Sequence, residues 1–313
     1  MLPMTLRRGL LAVCVLIAAP LLAQTPTEKK APPSKFIRLQ RDADKQATAL
    51  ETATVRYVPA SGEGNLTVDL ISVVHVGDRE YYQKLNKQFE QYDVLLFELV
   101  APPGTKIPKG GKRNSDNPVA LLQQMMKLVL GLDHQVEQID YTKKNFVHAD
   151  MSPEQMAEAI KNRGDNALTL TLSIAADLLR QQNLLENKKK DNAHPEADID
   201  PLSLLLDPDG GMKIKRAMAQ QLAEMADDGG LGKTLGTILI ADRNQAALKV
   251  FQKELASGKK KIGIFYGAAH MPDFEKRLRE DFGLKRQGET WLTAWDLQKQ
   301  KSNGLEDLLK LLK

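Results

Sequence analysis

Apolar and polar positions along this chain switch between two periods, and the switches mark out its elements. Thr54 to Val58 has the short, β-prone character of a strand, and Ser61-Gly62-Glu63-Gly64-Asn65 is a turn of hairpin type. Leu66 to Val76 is a nearly unbroken apolar run, as expected of a buried strand. The period then changes. Tyr82, Leu85, Phe89 and Tyr92 recur at spacings of three and four, which predicts one apolar helix face. Gly77-Asp78 opens that helix, with the Asp78 carboxylate expected to accept from exposed backbone N–H groups. Asp93 closes it, and Val94 to Val100 reads as the next strand. Strand, helix and strand within about 35 residues predict a βαβ unit with a parallel pair, the two strands side by side.

Downstream the helical period dominates. Pro102 to Pro118 reads as a flexible loop and Ala120 to Leu132 as a helix whose methionines fill the core. Ser152-Pro153-Glu154-Gln155 is a strong helix start: cap, proline at the first position, glutamine three residues after the cap. A helix is expected at about Asn166 to Leu185, a polar loop from Lys188 to Asp200, and a turn over Asp207 to Gly211. Two helices follow, at about Met212 to Met225 and Thr234 to Leu255. A second βαβ-like segment comes last: strand Ile262 to Tyr266, helix at about Asp273 to Asp281, strand Trp291 to Leu297. The reading is α/β: a central mixed sheet built from N- and C-terminal βαβ-like units, with a large helical insertion at about 118–255. The ordered domain is expected over 53–300, with a C-terminal helix in 301–313.

The N-terminus changes the picture of where the chain works. Arg7 and Arg8 precede an apolar stretch from Gly9 to Ala23, and Ala23-Gln24 is a plausible cleavage point, so 1–23 reads as a signal peptide. An uncleaved anchor is the alternative, although the stretch is shorter than the roughly 20 residues a bilayer span needs. Residues 24–52 read as a disordered tether, proline- and lysine-rich at the start. Cleavage would remove Cys14, the only cysteine, and with it any thiol or disulfide chemistry. It would leave 42 basic residues against 40 acidic, a net charge of +2. That balance, with aromatics at only 5%, argues against a nucleic-acid partner. The mature protein is expected in the periplasm or secreted, with no stable membrane span.

Candidate chemistry starts from two histidines. His75 ends the first apolar run, and His270 follows Ile262-Gly263-Ile264-Phe265-Tyr266-Gly267-Ala268-Ala269. Each should lie just past a strand's C-terminal end, the edge where open α/β sheets bind ligands. A small residue, Ser72 or Gly267, stands three positions before each. Either histidine alone could be a hydrogen-bonded structural residue; together they are the leading metal ligands. Glu98, a carboxylate in an apolar strand, needs a partner. It could complete a His, His, Glu set suited to zinc, manganese, cobalt or iron, or be a buried pair with Arg243. Arg243 could hold Glu98, bind a substrate oxygen, or lie on an exposed Asp-Arg-Asn face. Asp150 could be a base, an orienting group or a turn residue. Tyr82 could donate to an oxyanion or simply pack in the core. His134 and His194 read as loop histidines, and His148 is open to either reading. The chain has no GxSxG elbow, P-loop, GxGxxG or HExxH, so serine hydrolysis, nucleotide hydrolysis and zincin-type proteolysis lose support.

These residues in this order resemble the TraB/PrgY/Tiki superfamily, also called GumN-like, which is marked by a GxxH motif at each end of its domain. Gly267-Ala268-Ala269-His270 matches the second motif; Ser72-Val73-Val74-His75 matches the first with serine for glycine. His75 through Tyr81-Tyr82 to Tyr92-Asp93-Val94-Leu95-Leu96-Phe97-Glu98 resembles the family's opening βαβ unit. Gln138-Ile139-Asp140-Tyr141 and Asn145-Phe146 to Asp150-Met151-Ser152 resemble its middle. Asp242-Arg243-Asn244 stands where the family has Glu-Arg-Asn or Glu-Arg-Asp. The likeness runs from about 54 to 297. It implies an α/β fold with a metal centre built from His75, Glu98 and His270. The expectation is an exported metal-dependent hydrolase acting on peptides or proteins, with Arg243, Asp150 and Tyr82 in catalytic roles. The alternatives are a non-catalytic peptide- or haem-sequestering protein of the envelope, and a structural envelope protein with core histidines.

Overall fold

The computed structural model describes residues 35–102, 104–108, 110, 130–162, 209–227 and 240–298. Its N-terminal part is β1 (Ile37–Arg41), β2 (Ala47–Pro59), β3 (Thr67–Val73), β4 (Val76–Gly77), α1 (Arg79–Gln88) and β5 (Val94–Phe97). The middle supplies β6 (Asp133–His134), α2 (Gln135–Gln138), β7 (Phe146–His148), α3 (Pro153–Asn162) and α4 (Gly210–Asp227). The C-terminal part is α5 (Asp242–Ala256), β8 (Lys261–Gly267), α6 (Met271–Glu280) and β9 (Leu284–Asp296). Seven strands form one mixed sheet in the order β1-β2-β3-β8-β5-β7, with β9 on the other flank of β2. Strands β3, β8, β5 and β7 run parallel; β1, β2, β3 and β9 are joined by antiparallel pairs. The fold is therefore α/β with a mixed sheet and helices inserted between its two ends.

The parallel strands are apolar on both faces because both faces are covered. Ile71, Val73, Leu95 and Phe265 pack with Tyr81, Tyr82, Leu85 and Phe89 of the α1 segment, and α4 adds Ala219 to the same cluster. Val68, Leu70, Leu96, Ile262 and Ile264 pack with Ala247 and Phe251 of α5 and Phe274 and Leu278 of α6. The alternation of successive residues between these two clusters is the two-residue period of a strand.

One topological expectation is corrected. The Glu98 strand does not lie beside the His75 strand: β8 separates β3 from β5 and pairs with both. Ile262, Ile264, Phe265 and Tyr266 are all fully buried, so β8 needs a neighbour on each side and a helix on each face. Gly263 lets β5 come close, since a Cβ there would lie 2.5 Å from Leu95 Cδ1. The α1 crossover thus spans the inserted strand.

Order also begins earlier than Ala53: the first strand starts at Ile37. β1 pairs with the first half of β2 and buries Phe36 and Ile37, so 35–52 is not tether. The closing strand starts at Leu284 rather than Trp291, because it pairs with β2 up to Pro59. Asp78 stands at the start of α1 but makes no side-chain cap. Its carboxylate instead accepts from Lys215 Nζ at 3.2 Å and from the Asp296 backbone N–H at 2.7 Å. The helix start at Ser152 is as expected: Ser152 N–H donates to Gln155 Oε1 at 2.8 Å and Gln155 N–H to Ser152 Oγ at 3.2 Å. The signal peptide, the Ala120 to Leu132 helix up to 129, the Asn166 to Leu185 helix, the Lys188 to Asp200 loop, His194 and the C-terminal helix lie outside the described residues. No helix among the described residues is long and apolar enough to cross a membrane.

Candidate active site

The four parallel strands end at one edge, and each delivers a polar side chain there. His75 lies two residues beyond β3, Glu98 one beyond β5, Asp150 two beyond β7, and His270 three beyond β8. Arg243 enters from the first turn of α5. This is the carboxyl edge of the parallel strands, where α/β folds bind ligands.

Glu98 is the hub. Its Oε1 accepts from Arg243 Nη2 at 2.7 Å and lies 3.6 Å from His270 Nε2. Its Oε2 accepts from the Gly267 backbone N–H at 2.7 Å. Gly267 is tight against the hub: a Cβ there would lie 3.3 Å from Glu98 Oε2 and 3.5 Å from His75 Nε2. The first glycine of the second GxxH motif thereby brings Glu98 and the His75 ring to one spot. Burial opposes ionisation of Glu98. The carboxyl nonetheless ends below the ordinary range, held there by the His270 ring once it is protonated in acid, by the Arg243 guanidinium and by the Gly267 N–H.

His270 is buried, and burial is the main force that pushes its pKa down to about 4, so the ring is neutral at pH 7. Its Nδ1 lies 2.6 Å from Asn244 Oδ1, while Asn244 Nδ2 donates to the His270 carbonyl at 3.0 Å and to Asp273 Oδ2 at 2.9 Å. With both donors of that amide committed, its oxygen must accept from Nδ1–H. The lone pair of His270 is then on Nε2, facing Glu98. His75 is exposed, and its Nδ1 lies 3.0 Å from Gln135 Oε1, which likewise leaves the lone pair on Nε2. The turn carrying His75 is braced at three consecutive carbonyls: Val74 O by Tyr82, His75 O by the Gln135 N–H, and Val76 O by Trp295 Nε1.

Arg243 forks onto Asp150, Nε to Oδ1 at 2.9 Å and Nη2 to Oδ2 at 2.6 Å, and Nη1 lies 3.5 Å from His270 Nε2. The side chain of Asp150 is fully buried. Arg243 therefore bridges two carboxylates inside the protein and does not lie on an exposed face. Tyr82 is not brought to this cluster. It is fully buried, and its hydroxyl donates to Val74 O at 3.0 Å. His148 Nε2–H donates to Leu99 O at 2.5 Å, and His134 pairs in β6 with Val76.

Sequence reasoning missed Gln135, Asn244 and Tyr141. Asn244 stands next to Arg243 in Asp242-Arg243-Asn244, and Tyr141 closes the Gln138-Ile139-Asp140-Tyr141 stretch. Gln135 carried no motif signal. No family model matches this chain, and no curated protein matches it either.

Among the described residues, no group of three or more His, Cys, Asp and Glu side chains is arranged to hold a metal ion as it stands. The donor chemistry nonetheless suits one. Ligating histidines characteristically give their second ring N–H to an oxygen acceptor, which fixes the tautomer. Both histidines here do so. Two carboxylates, Glu98 and Asp150, face the single guanidinium of Arg243, an excess of acidic groups that favours a cation.

Proposed function

We propose that this chain is an exported, periplasmic or secreted, metal-dependent hydrolase of peptides or proteins, with its active site at the carboxyl edge of β3, β8, β5 and β7. The observation that carries the reading is the pairing of each histidine's Nδ1 with an amide oxygen, which leaves the lone pair of each ring on Nε2, with His270 Nε2 3.6 Å from Glu98 Oε1. The likeness of the paired motifs to the TraB/PrgY/Tiki group supports the same reading.

His75, His270 and Glu98 would hold the ion. A divalent ion such as zinc, manganese, cobalt or iron supplies Lewis acidity, polarising the scissile carbonyl and lowering the pKa of water. The chain's own residues do the rest. Asn244 and Gln135 hold the two rings in the ligating tautomer. Arg243 and the Gly267 N–H keep Glu98 ionised and fix its orientation. Asp150 anchors Arg243, so the guanidinium acts as a positioning group. The three braced carbonyls at 74–76 hold the His75 turn in place before any ligand arrives.

The test is cleavage of a mixed peptide library by the metal-loaded protein, with chelator controls. Turnover by the wild type that is lost in His270→Ala and Glu98→Gln, and restored by added metal only in the wild type, supports the reading. Turnover that persists in those variants or under chelation overturns it.

A second reading is a peptide- or haem-sequestering module without turnover. It is favoured by the 2.7 Å bond from Arg243 to Glu98, since a guanidinium on that oxygen competes with an ion for it. It predicts ligand capture that survives chelation.

A further inference from the structure

The expected tyrosine donor, Tyr82, is committed to a backbone carbonyl, yet the same edge carries another tyrosine. Tyr141 lies in the segment between α2 and β7, half-buried, with its ring against Phe97 (5.1 Å between centroids) and Phe146 (5.9 Å). Its hydroxyl receives Gln135 Nε2–H at 2.8 Å. The other end of that amide, Oε1, is the group on His75 Nδ1 at 3.0 Å.

One amide therefore sets two protons. With Oε1 facing His75 and Nε2 facing Tyr141, the direction is fixed: His75 Nδ1–H donates to Gln135, and Gln135 donates to the Tyr141 oxygen. The phenol oxygen is used as an acceptor, so its own proton has to find a partner elsewhere. No acceptor for it exists among the described residues. Burial, and the negative field of nearby Glu98, hold the phenol above its usual pKa, so the proton stays on. A protonated hydroxyl near Glu98, linked through one side chain to the ring of His75, is a donor poised at the reaction edge.

The geometry points to Tyr141 as the hydrogen-bond donor to the substrate's carbonyl oxygen as that oxygen becomes an oxyanion. This rests on the hydrolase reading above and adds to it the donor that reading lacks, because Arg243 is bonded to two carboxylates. In the step concerned, water adds to the carbonyl carbon with net loss of one proton to solvent buffer. The carbonyl π pair becomes a lone pair on oxygen. The phenol donates a hydrogen bond to that oxygen and keeps its proton throughout. The same relay couples the two halves of the site: an electrophile on His75 Nε2 requires the proton on Nδ1, which commits Gln135 and leaves the Tyr141 proton for substrate.

The test compares Tyr141→Phe with His270→Ala in the metal-loaded full chain. Phenylalanine keeps the ring packing against Phe97 and Phe146, so the unfolding midpoint should not move. Removing one oxyanion donor is expected to lower kcat by about a hundredfold. KM for a peptide substrate should change by less than about threefold, since the ground-state carbonyl gains little from the donor. Affinity for a phosphinic peptide, whose tetrahedral oxygen carries the charge, should fall by a factor close to that in kcat. A merely structural Tyr141 would move KM or the midpoint and leave the kcat and phosphinate losses unmatched. Wild-type turnover that His270→Ala abolishes and Tyr141→Phe leaves within threefold would overturn this inference alone. A wild type without turnover, binding the phosphinate no better than His270→Ala, would overturn the hydrolase reading and this inference with it.

Discussion

The backbone N–H of Gly267 donates to Glu98 Oε2 at 2.7 Å, across two adjacent strands whose chemistry is separated by 169 positions in the chain. The missing side chain at Gly267 matters as much as the bond. A Cβ there would press on both Glu98 and His75. The backbone at Gly267 has φ −54°, open to any residue, so the need for glycine is one of space. Gly267→Ala is expected to cost about 1 kcal/mol or less of stability, because the crowded atoms are the far ends of side chains. Activity should fall far more, since Glu98 and the His75 ring must part. Equal losses in thermal stability and turnover would contradict this.

Acid should weaken the fold in a defined window. Unfolded, His270 takes up a proton as pH falls through 6.5; folded, it resists until about 4. Between those values the unfolded chain binds more protons, so stability declines as pH is lowered, by roughly 3 kcal/mol at most. Glu98, whose folded pKa is lowered, adds a loss in the same direction further down. His270→Gln should flatten the limb from pH 6.5 to 4 in denaturant unfolding. An unchanged slope in that variant would show that His270 is not held neutral.

Ser72 stands three positions before His75, and its buried hydroxyl has no hydrogen-bond partner among the described residues. An unsatisfied buried hydroxyl costs about 1 kcal/mol or more. Ser72→Ala should therefore be neutral or stabilising and leave turnover intact. Marked destabilisation would reveal a bond to that hydroxyl.

The insertion is tied to the sheet through a buried ion pair. Lys215 of α4 reaches Asp78 at 3.2 Å and the Asp296 carbonyl at 3.0 Å. Both side chains are under one-tenth exposed. Lys215→Met should destabilise by about 3 kcal/mol, as removal of one partner strands the other's charge. Calorimetry of the variant checks this; a loss under about 0.5 kcal/mol would mean that the pair carries little of the link.

The positions of His75 and His270 were legible because a short apolar run that ends on a polar residue says where a strand stops. The identity of strand neighbours was not. Nothing local in Val94 to Val100 says that a strand from the far end of the chain will come between it and β3. That pairing is decided by burial on both faces of β8. Tyr82 illustrates the limit for side chains. Its helical spacing correctly marked it as facing the core, but only the register of α1 over the Val74 carbonyl shows where the hydroxyl is used. Gln135 was invisible because an amide has no pattern of its own; its role comes from lying between a ring and a phenol brought together by the fold. Asp78 read as a cap because it stands at the right position, and tertiary partners with stronger claims took its carboxylate.

The most direct measurement is equilibrium binding of a divalent ion, manganese or zinc, to the wild type, His75→Ala, His270→Ala and the double variant, with folding verified for each. About one ion should bind per wild-type chain, with affinity lowered by about a hundredfold or more in each single variant. Undiminished binding by a folded double variant would contradict this.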